Sequence, residues 1–497
     1  MPGAKTDATA PERADELIPG RDRADGVPAP APGPHTAHTA HTGARTTLWD
    51  RAPLLLAAAL AVAYAVVSIC RYRRLESRSW DLGIFEQAVR AYAHLQTPVA
   101  DLKGPGANIL GDHFSPVTAL LAPFYRVFPS PLTLLVAQAL LVAVSVVPVT
   151  RAATRLLGRA SGLGVGVAYG LSWGIQRAVD FDFHEICFAV PLIAFSLEAL
   201  LRHRWRAALL WALPLVLVKE DLGATLAAIA VVVAIRCRRT DPKAMPYALG
   251  VAAFGAVATA VTLTLVIPAF NSVGGYDYWN KVGDAGGAAG VFDGFGIKLR
   301  TLLWLLLPTT GLLALRSPLL LIALPTLGWR FVSADDHYWG TDWHYSAVLM
   351  PVILLALADA AASARRSGRP WLRRYAERLP ALAAVAALAL TTSLPLAALT
   401  ESATYEKSKQ VTAVERMLER VPDGATVEAN IGPLSRLTSR ARVFWTGSAR
   451  PVVPAYVALD VRDGWTKDPV GYANNLHPGA RYVLEDVAYG YVLLRRD

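Results

Sequence analysis

The loops between the apolar segments of this chain sort into two classes by charge, and this sorting constrains the fold more than any other feature. About eleven apolar runs lie between residues 53 and 400, and the longer ones could cross a bilayer as helices. One class of loop is rich in arginine and comprises residues 151–159, 202–206, 236–243 and 365–378. The other class collects acids and histidines at 81, 112–113, 180–185, 220–221 and 335–344. Because positively charged loops tend to stay in the cytoplasm, we expect the acidic class to lie together on the opposite side.

The composition excludes an ordinary soluble protein. Of the 497 residues, 54% are hydrophobic and only 18% are charged, which is typical of a polytopic membrane protein. The net charge of +10 does not indicate nucleic-acid binding, because the arginines lie beside apolar runs, where topology and anionic lipid headgroups account for them. The three cysteines lie in or beside apolar runs, and they form neither a disulfide framework nor a metal-binding pattern.

The composition changes along the chain and predicts where the membrane region begins. Residues 1–47 contain too few apolar residues to fold, and we predict a disordered cytoplasmic tail. Residues 48–400 are predicted to form an all-α transmembrane domain of about eleven helices, the first of which is retained as an anchor. The predicted spans are 53–70, 131–150, 161–176, 186–201, 206–218, 222–235, 246–268, 298–315, 317–330, 346–362 and 379–399.

Two segments are predicted to lie outside the membrane, opposite the cytoplasm. The first outer loop, 71–130, contains an amphipathic helix over 81–95 and a second amphipathic stretch that ends at Phe128, both expected at the interface. Residues 401–497 combine a helix over 408–420 with strand-like runs at 426–429, 442–445, 456–459, 482–484 and 491–494. They predict a small α/β extracytoplasmic domain that leans on the transmembrane domain for stability. With the N-terminus in the cytoplasm, an odd number of spans predicts that the C-terminus lies outside.

Asp81 is the candidate catalytic residue of the first outer loop. It follows the first span closely and begins the amphipathic helix. A carboxylate held there could act as general base and take a proton from an acceptor hydroxyl. The alternative is a structural role as helix N-cap, for which Asp is a preferred residue.

The other acidic loops supply candidates for metal and substrate binding. Asp180, Asp182 and His184 alternate along the chain, and an extended loop would place all three on one side, where they could hold a divalent cation. Glu220 and Asp221 could contribute to catalysis or form salt bridges with the neighbouring lysine. His113, His337 and His344 could each contact phosphate, donate a proton or bind metal, and for each taken singly the pattern favours a hydrogen-bonded interface residue.

Several basic residues lie on the acidic side, against the topology bias, and an anionic ligand would explain them. Arginine is suited to bidentate binding of phosphate. These residues therefore predict a site for a lipid-linked phosphate, with Arg177 and Arg330 as the principal candidates. The set comprises Arg71, Arg73, Arg74, Arg78, Arg126, Arg177, Lys281, Lys298, Arg300 and Arg330.

A series of short motifs resembles a family of bacterial multi-pass membrane proteins of unknown function. The motifs are Trp-Asp-Leu-Gly-Ile-Phe-Glu-Gln at 80–87, His-Phe-Ser-Pro at 113–116, Ala-Pro-Phe-Tyr at 122–125, Gln138, Asp-Phe-His at 182–184, Lys-Glu-Asp at 219–221, and His-Tyr at 344–345 with Pro351. The resemblance covers most of residues 65–490. It implies a bacterial plasma-membrane protein.

That family is distantly similar to the GT-C glycosyltransferases, which include protein mannosyltransferases and aminoarabinose transferases. The resemblance implies a polyprenyl-phosphate sugar as donor, and an aspartate base in the first outer loop, the place that Asp81 occupies. Many of those enzymes carry an acidic pair in this loop. Here the pair is reduced to Asp81, with Glu86 as the second acid.

The predicted function is inverting transfer of a sugar from a polyprenyl-phosphate donor to a cell-envelope acceptor. Asp81 is the predicted base, and a divalent cation is the cofactor that the acidic loops could hold. One alternative is a transporter or flippase of an envelope precursor, in which the same charges form an ion path; such proteins often contain internal repeats, which this sequence lacks. The other is a non-catalytic scaffold that binds partners through residues 401–497.

Overall fold

The computed structural model describes residues 48–77, 80–272, 274–276 and 292–497, with the side chains of residues 48 and 49 excepted. The predicted cytoplasmic tail, 1–47, and the predicted outer residues Arg78 and Lys281 lie outside the described residues. The described part from residue 48 onward belongs to one compact unit.

Four helical segments of the described chain are long and apolar enough to cross a membrane. They are Asp50–Arg73, Pro131–Leu157, Pro242–Phe270 and His344–Ala364. The third includes a π-helical turn over Thr262–Val266 and exposes most of its apolar side chains. The other predicted spans are shorter or broken, so the count of about eleven is not confirmed.

Helices account for the membrane region as predicted, and their bounds correct several of the predicted spans. The predicted span 161–176 is two helices, and 379–399 corresponds to a helix that begins at Pro370. Pro214 lies just beyond a helix that ends at Ala212, because proline cannot supply the backbone N–H of a helix interior. The helices are α1 (Leu48–Arg73), α2 (Trp80–Ala93), α3 (Ala122–Val127), α4 (Pro131–Leu157), α5 (Arg159–Gly170), α6 (Trp173–Asp180), α7 (Ala189–Leu201), α8 (Trp205–Ala212), α9 (Leu222–Cys237), α10 (Met245–Val261), α11 (Ile267–Phe270), α12 (Phe295–Thr310), α13 (Leu324–Val332), α14 (Leu349–Ala364) and α15 (Pro370–Thr391).

The two classes of loop lie at opposite ends of the same helices. At the C-terminal ends, Arg151 of α4 binds Glu198 of α7 with N–O distances of 3.0 and 2.5 Å, and Arg236 of α9 binds Asp359 of α14. Arg365 donates to the backbone carbonyl of Leu157 at 2.7 Å. The acids and histidines precede the N-termini of α7, α9 and α14. Carboxylates near helix N-termini and arginines near C-termini both complement the helix dipole.

Helix α2 lies between two hydrophobic cores. Leu82, Phe85 and Val89 pack with the transmembrane helices, whereas Ile84 and Ala88 pack with the C-terminal region. This helix matches the predicted amphipathic helix 81–95 to within two residues at its end. At Gly83 the two cores approach so closely that an added Cβ would lie 2.3 Å from a side-chain carbon of Leu434.

The C-terminal region is a five-stranded mixed sheet with three short helices. The strands lie in the order β2-β1-β3-β5-β4; β1 is parallel to β2 and β3, and β5 is antiparallel to β3 and β4. All five strands occur at the predicted positions, and three extend further. The elements are α16 (Lys409–Leu418), β1 (Thr426–Ala429), α17 (Leu434–Leu437), β2 (Arg442–Trp445), β3 (Tyr456–Asp460), α18 (Pro469–Leu476), β4 (Tyr482–Ala488) and β5 (Tyr491–Arg496).

The first loop and the sheet are joined by polar contacts as well as by a shared core. The Gln87 side-chain amide donates to the carbonyl of Val443 at 2.8 Å, and Arg442 binds Asp101 through two nitrogens at 2.7 and 2.9 Å. Glu86 accepts hydrogen bonds from the hydroxyls of Tyr125, at 2.8 Å, and Thr438. Glu86 is therefore a structural carboxylate rather than a second acid beside Asp81.

Candidate functional site

Asp81, His184 and His344 come together where three separate segments meet. One potential ligand atom from each side chain lies within 4.8 Å of the others. The imidazole rings of His184 and His344 are stacked, with centroids 3.7 Å apart and planes inclined by 29°. Together with the neighbouring side chains described below, these residues form what we call the polar cluster: Asp81, His113, His184, Glu185, Lys219, Glu220, Asp221 and His344.

Asp81 lies inside the first turn of α2, because the helix begins at Trp80. It is therefore the second residue of the helix rather than its N-cap, and a carboxylate in this first turn also complements the helix dipole. Its side chain is only partly buried. Burial raises the pKa of Asp81, and the negative charge of Glu185 adds to this effect, while His184, His113 and Lys219 oppose it. A carboxylate with a raised pKa is a better proton acceptor than an ordinary one.

The two stacked histidines carry unsatisfied polar atoms. His344 is 2% exposed, and neither of its ring nitrogens has a hydrogen-bond partner among the described residues. His184 is 5% exposed, and its Nδ1 lies 2.6 Å from a carboxylate oxygen of Glu185. Leaving buried polar groups unpaired costs about 1–3 kcal/mol each, so such atoms are typical of sites that bind something.

Lys219 and Glu185 form a buried ion pair within the polar cluster. The Lys219 ammonium lies 2.9 Å from Glu185, which is fully buried. Burial alone would raise the pKa of Glu185, but His184 and Lys219 outweigh it and hold that pKa well below its ordinary value. Burial likewise opposes the charge of Lys219, and Glu185, Glu220 and Asp221 raise its pKa above the ordinary range. Both members of the pair are therefore charged.

Glu220 and Asp221 have different surroundings although they are adjacent in the chain. Glu220 lies 3.1 Å from Nδ1 of His113 and accepts a hydrogen bond from the Tyr276 hydroxyl at 3.3 Å. Asp221 keeps one oxygen without a hydrogen-bond partner among the described atoms, and burial, against the pull of Lys219, raises its pKa to about 6. Asp221, Lys219 and His344 line a cavity of about 20 Å³, which has room for one water-sized group.

The predicted extended loop at residues 180–184 is wrong. Asp180 is the last residue of α6, and Asp182 has a backbone φ of +113°, so the three side chains do not alternate along a strand. Asp180 pairs with Arg71 at 2.6 Å, and the Asp182 carboxylate accepts a hydrogen bond from Ser77. Of the predicted metal set Asp180, Asp182 and His184, only His184 reaches the polar cluster.

The two arginines predicted to bind phosphate, Arg177 and Arg330, lie in different surroundings: Arg330 is buried among protein hydrogen-bond acceptors, and Arg177 lines a cavity. Arg330 is fully buried and donates to the carbonyls of Tyr338 and Gly340, both at 2.8 Å, and to the Ser346 hydroxyl at 3.2 Å. It thereby holds the segment that carries His344, and it does not face an anion. Arg177 lines a cavity of about 430 Å³ together with Arg71 and Arg74. The cavity is bounded by the ends of α1, α6 and α15.

Glu185 and Lys219 are site residues that sequence reasoning did not select. The sequence indicates Lys219 only as a counter-ion of Glu220 and Asp221, and it indicates Glu185 only as one of several acids in its loop. The Lys-Glu-Asp motif is the sequence signal that could have identified Lys219 as a site residue. The partner of Lys219 lies in a different loop, which the local pattern does not indicate.

The comparisons with known proteins agree with this fold. The family described as "Predicted membrane protein (DUF2079)" matches residues 71–469, and no curated protein matches the chain. The crystal structure of ArnT from Cupriavidus metallidurans bound to undecaprenyl phosphate is similar, with a TM-score of 0.54, 12% identity, and coverage of 89% of this chain and 98% of that one. The apo structure of the same protein gives a TM-score of 0.50 at 12% identity, with coverage of 89% and 97%. The chain thus belongs to the DUF2079 family of membrane proteins, and its fold is similar to that of ArnT.

Proposed function

We propose that this protein is a membrane glycosyltransferase that moves a sugar from a polyprenyl-phosphate donor to a cell-envelope acceptor at the outer face. The observation that carries the proposal is the position of Asp81, on a helix of the first loop, directly against buried acids and histidines at the ends of the transmembrane helices. Similarity of fold to an enzyme structure that contains undecaprenyl phosphate supports the choice of donor. Fold similarity alone does not establish chemistry, so the residues must carry the proposal.

In this proposal Asp81 is the base. It accepts the proton of an acceptor hydroxyl as the oxygen attacks the anomeric carbon of the sugar. The new carbon–oxygen bond forms as the bond from that carbon to the phosphate oxygen breaks, and the polyprenyl phosphate leaves with the electron pair. Attack from the side opposite the phosphate inverts the anomeric configuration.

The remaining residues of the polar cluster would bind and orient the reactants. Glu220 and Asp221 are suited to hydrogen bonding with sugar hydroxyls, and His113, His184 and His344 border the same space. The cavity lined by Arg177 is the candidate site for the donor phosphate, because guanidinium groups bind phosphate oxygens in pairs. The phosphate would compete there with Asp180 for Arg71 and with Glu76 for Arg74. Arg330 acts indirectly, by positioning the segment that carries His344.

Transfer of label from donor to acceptor tests this function. Membranes containing the wild type or Asp81→Asn are incubated with a panel of radiolabelled polyprenyl-phosphate sugars and native envelope extract. Asp336→Asn is the matched control, because Asp336 is also an acid of the predicted outer side but is 71% exposed, and its ion pair is with His337, outside the polar cluster. We expect wild type and control to transfer label, and Asp81→Asn to transfer it at least about 100-fold more slowly.

Two outcomes would contradict the proposal in different ways. Full transfer by a folded Asp81→Asn protein would remove Asp81 as base while leaving a transferase. No transfer by any of the three proteins, with acceptor supply controlled, would favour the transporter alternative. Protein amount and melting temperature in detergent, measured in parallel, separate loss of chemistry from loss of fold.

A further inference from the structure

We propose that a crevice at one end of the C-terminal sheet binds a neutral carbohydrate, the glycan part of the envelope acceptor. This sheet crevice has a volume of about 590 Å³ and lies between residues 74–77, residues 403–411 and the ends of three strands. Small-molecule sites typically have volumes of about 300–1,000 Å³. The assignment of the carbohydrate to the acceptor rests on the proposed function, whereas its binding can be measured without any transfer.

The sheet crevice lies where two neighbouring parallel strands send the chain in opposite directions. After β1 the chain continues to α17 and β2, and after β3 it continues to α18 and β4, on the other side of the sheet. Ile431 and Gly432, which follow β1, and Asp460, the last residue of β3, line the crevice. Diverging connections leave a gap outside the carboxyl ends of such strands, and ligands of α/β sheets bind in this gap.

Gly432 brings the backbone close to the other residues at the strand ends. Its φ of +106° lies in the region that favours glycine. An added Cβ would lie 3.2 Å from a ring carbon of Tyr491, the first residue of β5, and 3.4 Å from a carboxylate oxygen of Asp460. A side chain at this position would therefore crowd the residues that line the sheet crevice.

Arg462 is held in one orientation by two neighbours. It donates from Nε to one carboxylate oxygen of Asp460 at 2.9 Å and from Nη2 to the other at 2.6 Å. Its guanidinium also lies over the ring of the buried Tyr491, 4.7 Å from the centroid. The Arg462 side chain is nevertheless 46% exposed. The pair thus presents donors and acceptors side by side in a fixed arrangement, which lowers the entropic cost of binding.

The charges of the lining favour a neutral ligand with hydroxyl groups. Arg74 pairs with Glu76 at 2.5 Å, as Arg462 pairs with Asp460, and Glu406 adds an exposed carboxylate. The described lining residues thus carry three negative charges and two positive ones. An anion would have to displace a carboxylate from each arginine. A hydroxyl both donates and accepts hydrogen bonds, so a sugar can bind both members of each pair without separating them.

Trp465 supplies an aromatic surface beside this pair. Its indole N–H donates to the carbonyl of Asp460 at 2.8 Å, and Tyr472 packs edge-on against its ring at a centroid distance of 4.9 Å. The residue remains 45% exposed. Sugar rings have apolar C–H faces that pack on aromatic rings, and tryptophan combines such a surface with a polar group that fixes its position. Trp465 would therefore contact a glycan that extends out of the sheet crevice.

The sheet crevice adjoins the cavity proposed for the donor phosphate. Arg74 and Glu76 line both of them. The sugar of the donor must reach Asp81 in the polar cluster for transfer, so it does not occupy the crevice. A glycan of the acceptor bound in the crevice would lie next to the candidate phosphate site, which explains the assignment to the acceptor.

Oligosaccharide binding to the purified full-length protein tests the site. The protein is prepared in a detergent without a sugar headgroup, because a maltoside would compete, and is applied to an array of neutral and acidic envelope oligosaccharides. Affinities of the glycans that bind are then measured by ligand-observed NMR. We expect neutral glycans to bind, and to bind at least about 10-fold more weakly to Arg462→Gln and Asp460→Asn, since both changes remove hydrogen bonds to a charged group.

Arg495→Gln is the matched control. The Arg495 side chain is also 46% exposed and pairs with a carboxylate, that of Glu485, at 3.0 Å, but it lies toward the opposite end of β5. Its affinity for glycans should equal that of the wild type. Ala403→Trp places a large ring at an exposed position of the lining and keeps both ion pairs, so it should weaken binding even if the charge variants fold poorly.

The other results have definite meanings. Absence of neutral-glycan binding by the wild type, or equal affinity in the wild type, Arg462→Gln and Ala403→Trp, would overturn the site. Tighter binding of inorganic phosphate or acidic glycans than of any neutral glycan would overturn the ligand class. A wild type that binds neutral glycans in the sheet crevice but transfers no label would contradict the proposed function and leave the carbohydrate site intact.

Discussion

The two ends of the transmembrane helices neutralise their acidic side chains in different ways. At the arginine end each buried carboxylate has its own cation: Glu198 contacts Arg151 and Arg202, and Asp359 contacts Arg236. In the polar cluster, four carboxylates share Lys219, and one oxygen each of Glu220 and Asp221 has no hydrogen-bond partner among the described residues. The carboxylates of the first arrangement are therefore paired within the protein, although Nε of Arg202 and Nε of Arg236 have no partner among the described residues, whereas oxygens of Glu220 and Asp221 in the second arrangement remain unpaired.

This difference separates charges that stabilise the fold from charges that are available for function. Ionisable groups near a membrane are costly and are retained when they have a purpose. At the arginine end, the purpose is visible in the ion pairs and in the helix dipoles that the arginines complement. In the polar cluster the missing partners indicate a substrate or an ion. Three measurements follow, in decreasing order of expected effect. The first compares the two helix ends directly, and the other two apply the same reasoning to ionisable groups between the first loop and the C-terminal sheet.

Lys219→Met should destabilise the protein strongly, because it leaves the buried Glu185 carboxylate without its cation. Breaking a buried pair by removing one partner typically costs about 3–5 kcal/mol. Arg151→Met is the matched change at the arginine end. Its effect should be about 1 kcal/mol or less, because Arg151 is 45% exposed and Arg202 still contacts Glu198. The free energy of unfolding in detergent compares the two.

The double variant Lys219→Met with Glu185→Gln sharpens this comparison. It removes both charges, so most of the stability lost in the single variant should return. Equal losses in Lys219→Met and Arg151→Met would contradict the distinction between the two ends. No recovery in the double variant would show that Lys219 stabilises the fold through contacts other than Glu185.

Glu86, which lies on the same helix as Asp81, should make the free energy of unfolding depend on pH. Burial raises its pKa from 4.5 to about 7, against the hydrogen bonds from Thr438 and Tyr125. The folded protein thus holds this proton more tightly than the unfolded chain, and stability decreases as pH rises from 4.5 through 7. Glu86→Gln should remove a pH-dependent loss of about 1–3 kcal/mol.

Melting curves of wild type and Glu86→Gln at several pH values between about 5 and 8 measure this effect. The two proteins should be similarly stable near pH 5, where the carboxyl is neutral, and should differ most near pH 8. A parallel decrease in both would assign the pH dependence to other groups. Such a result would also show that water or a cation compensates the buried charge of Glu86.

Arg442→Ala should have the smallest effect of the three changes. Arg442 binds Asp101 through two nitrogens and joins the sheet to the first loop, but its side chain is 44% exposed. Exposed pairs typically contribute less than about 1 kcal/mol. We expect faster amide hydrogen exchange in β2 and in residues 101–111, with little change in melting temperature. A large loss of stability would mean that polar contacts, rather than the shared core, hold the sheet to the loop.

Local patterns predicted the regular elements of this protein well. Short strand-like runs, with Asp423-Gly and His477-Pro-Gly as turns, located all five strands, and helical spacing located α2 and α16. The patterns failed where a tertiary contact overrides them. The segment 180–184 appears extended from its alternating residues, but Asp182 adopts a positive φ while hydrogen bonds from Ser77 and Gln138 hold its carboxylate and carbonyl. Helix α15 begins at Pro370, ahead of the apolar run from which its span was predicted.

The sequence predicted most of the residues of the candidate site, but it did not predict which of them contact one another. Asp81, His113, His184, Glu220, Asp221 and His344 were all selected, because ionisable residues near membrane spans are unusual. The pairing of Lys219 with Glu185 and the burial of Arg330 were not anticipated. Both depend on residues in other segments, which no local pattern identifies.

The sequence by itself determined that this is a membrane protein, that its charges divide between two sets of loops, and where its strands lie. These properties depend on composition and on short periodic patterns, which act within one segment of the chain. Only the tertiary structure decided which ionisable groups meet, which of them neutralise one another, and which keep unpaired atoms. The physical reason is that a buried charge is stabilised or left unsatisfied by neighbours a few ångströms away, and packing brings those neighbours from distant parts of the chain.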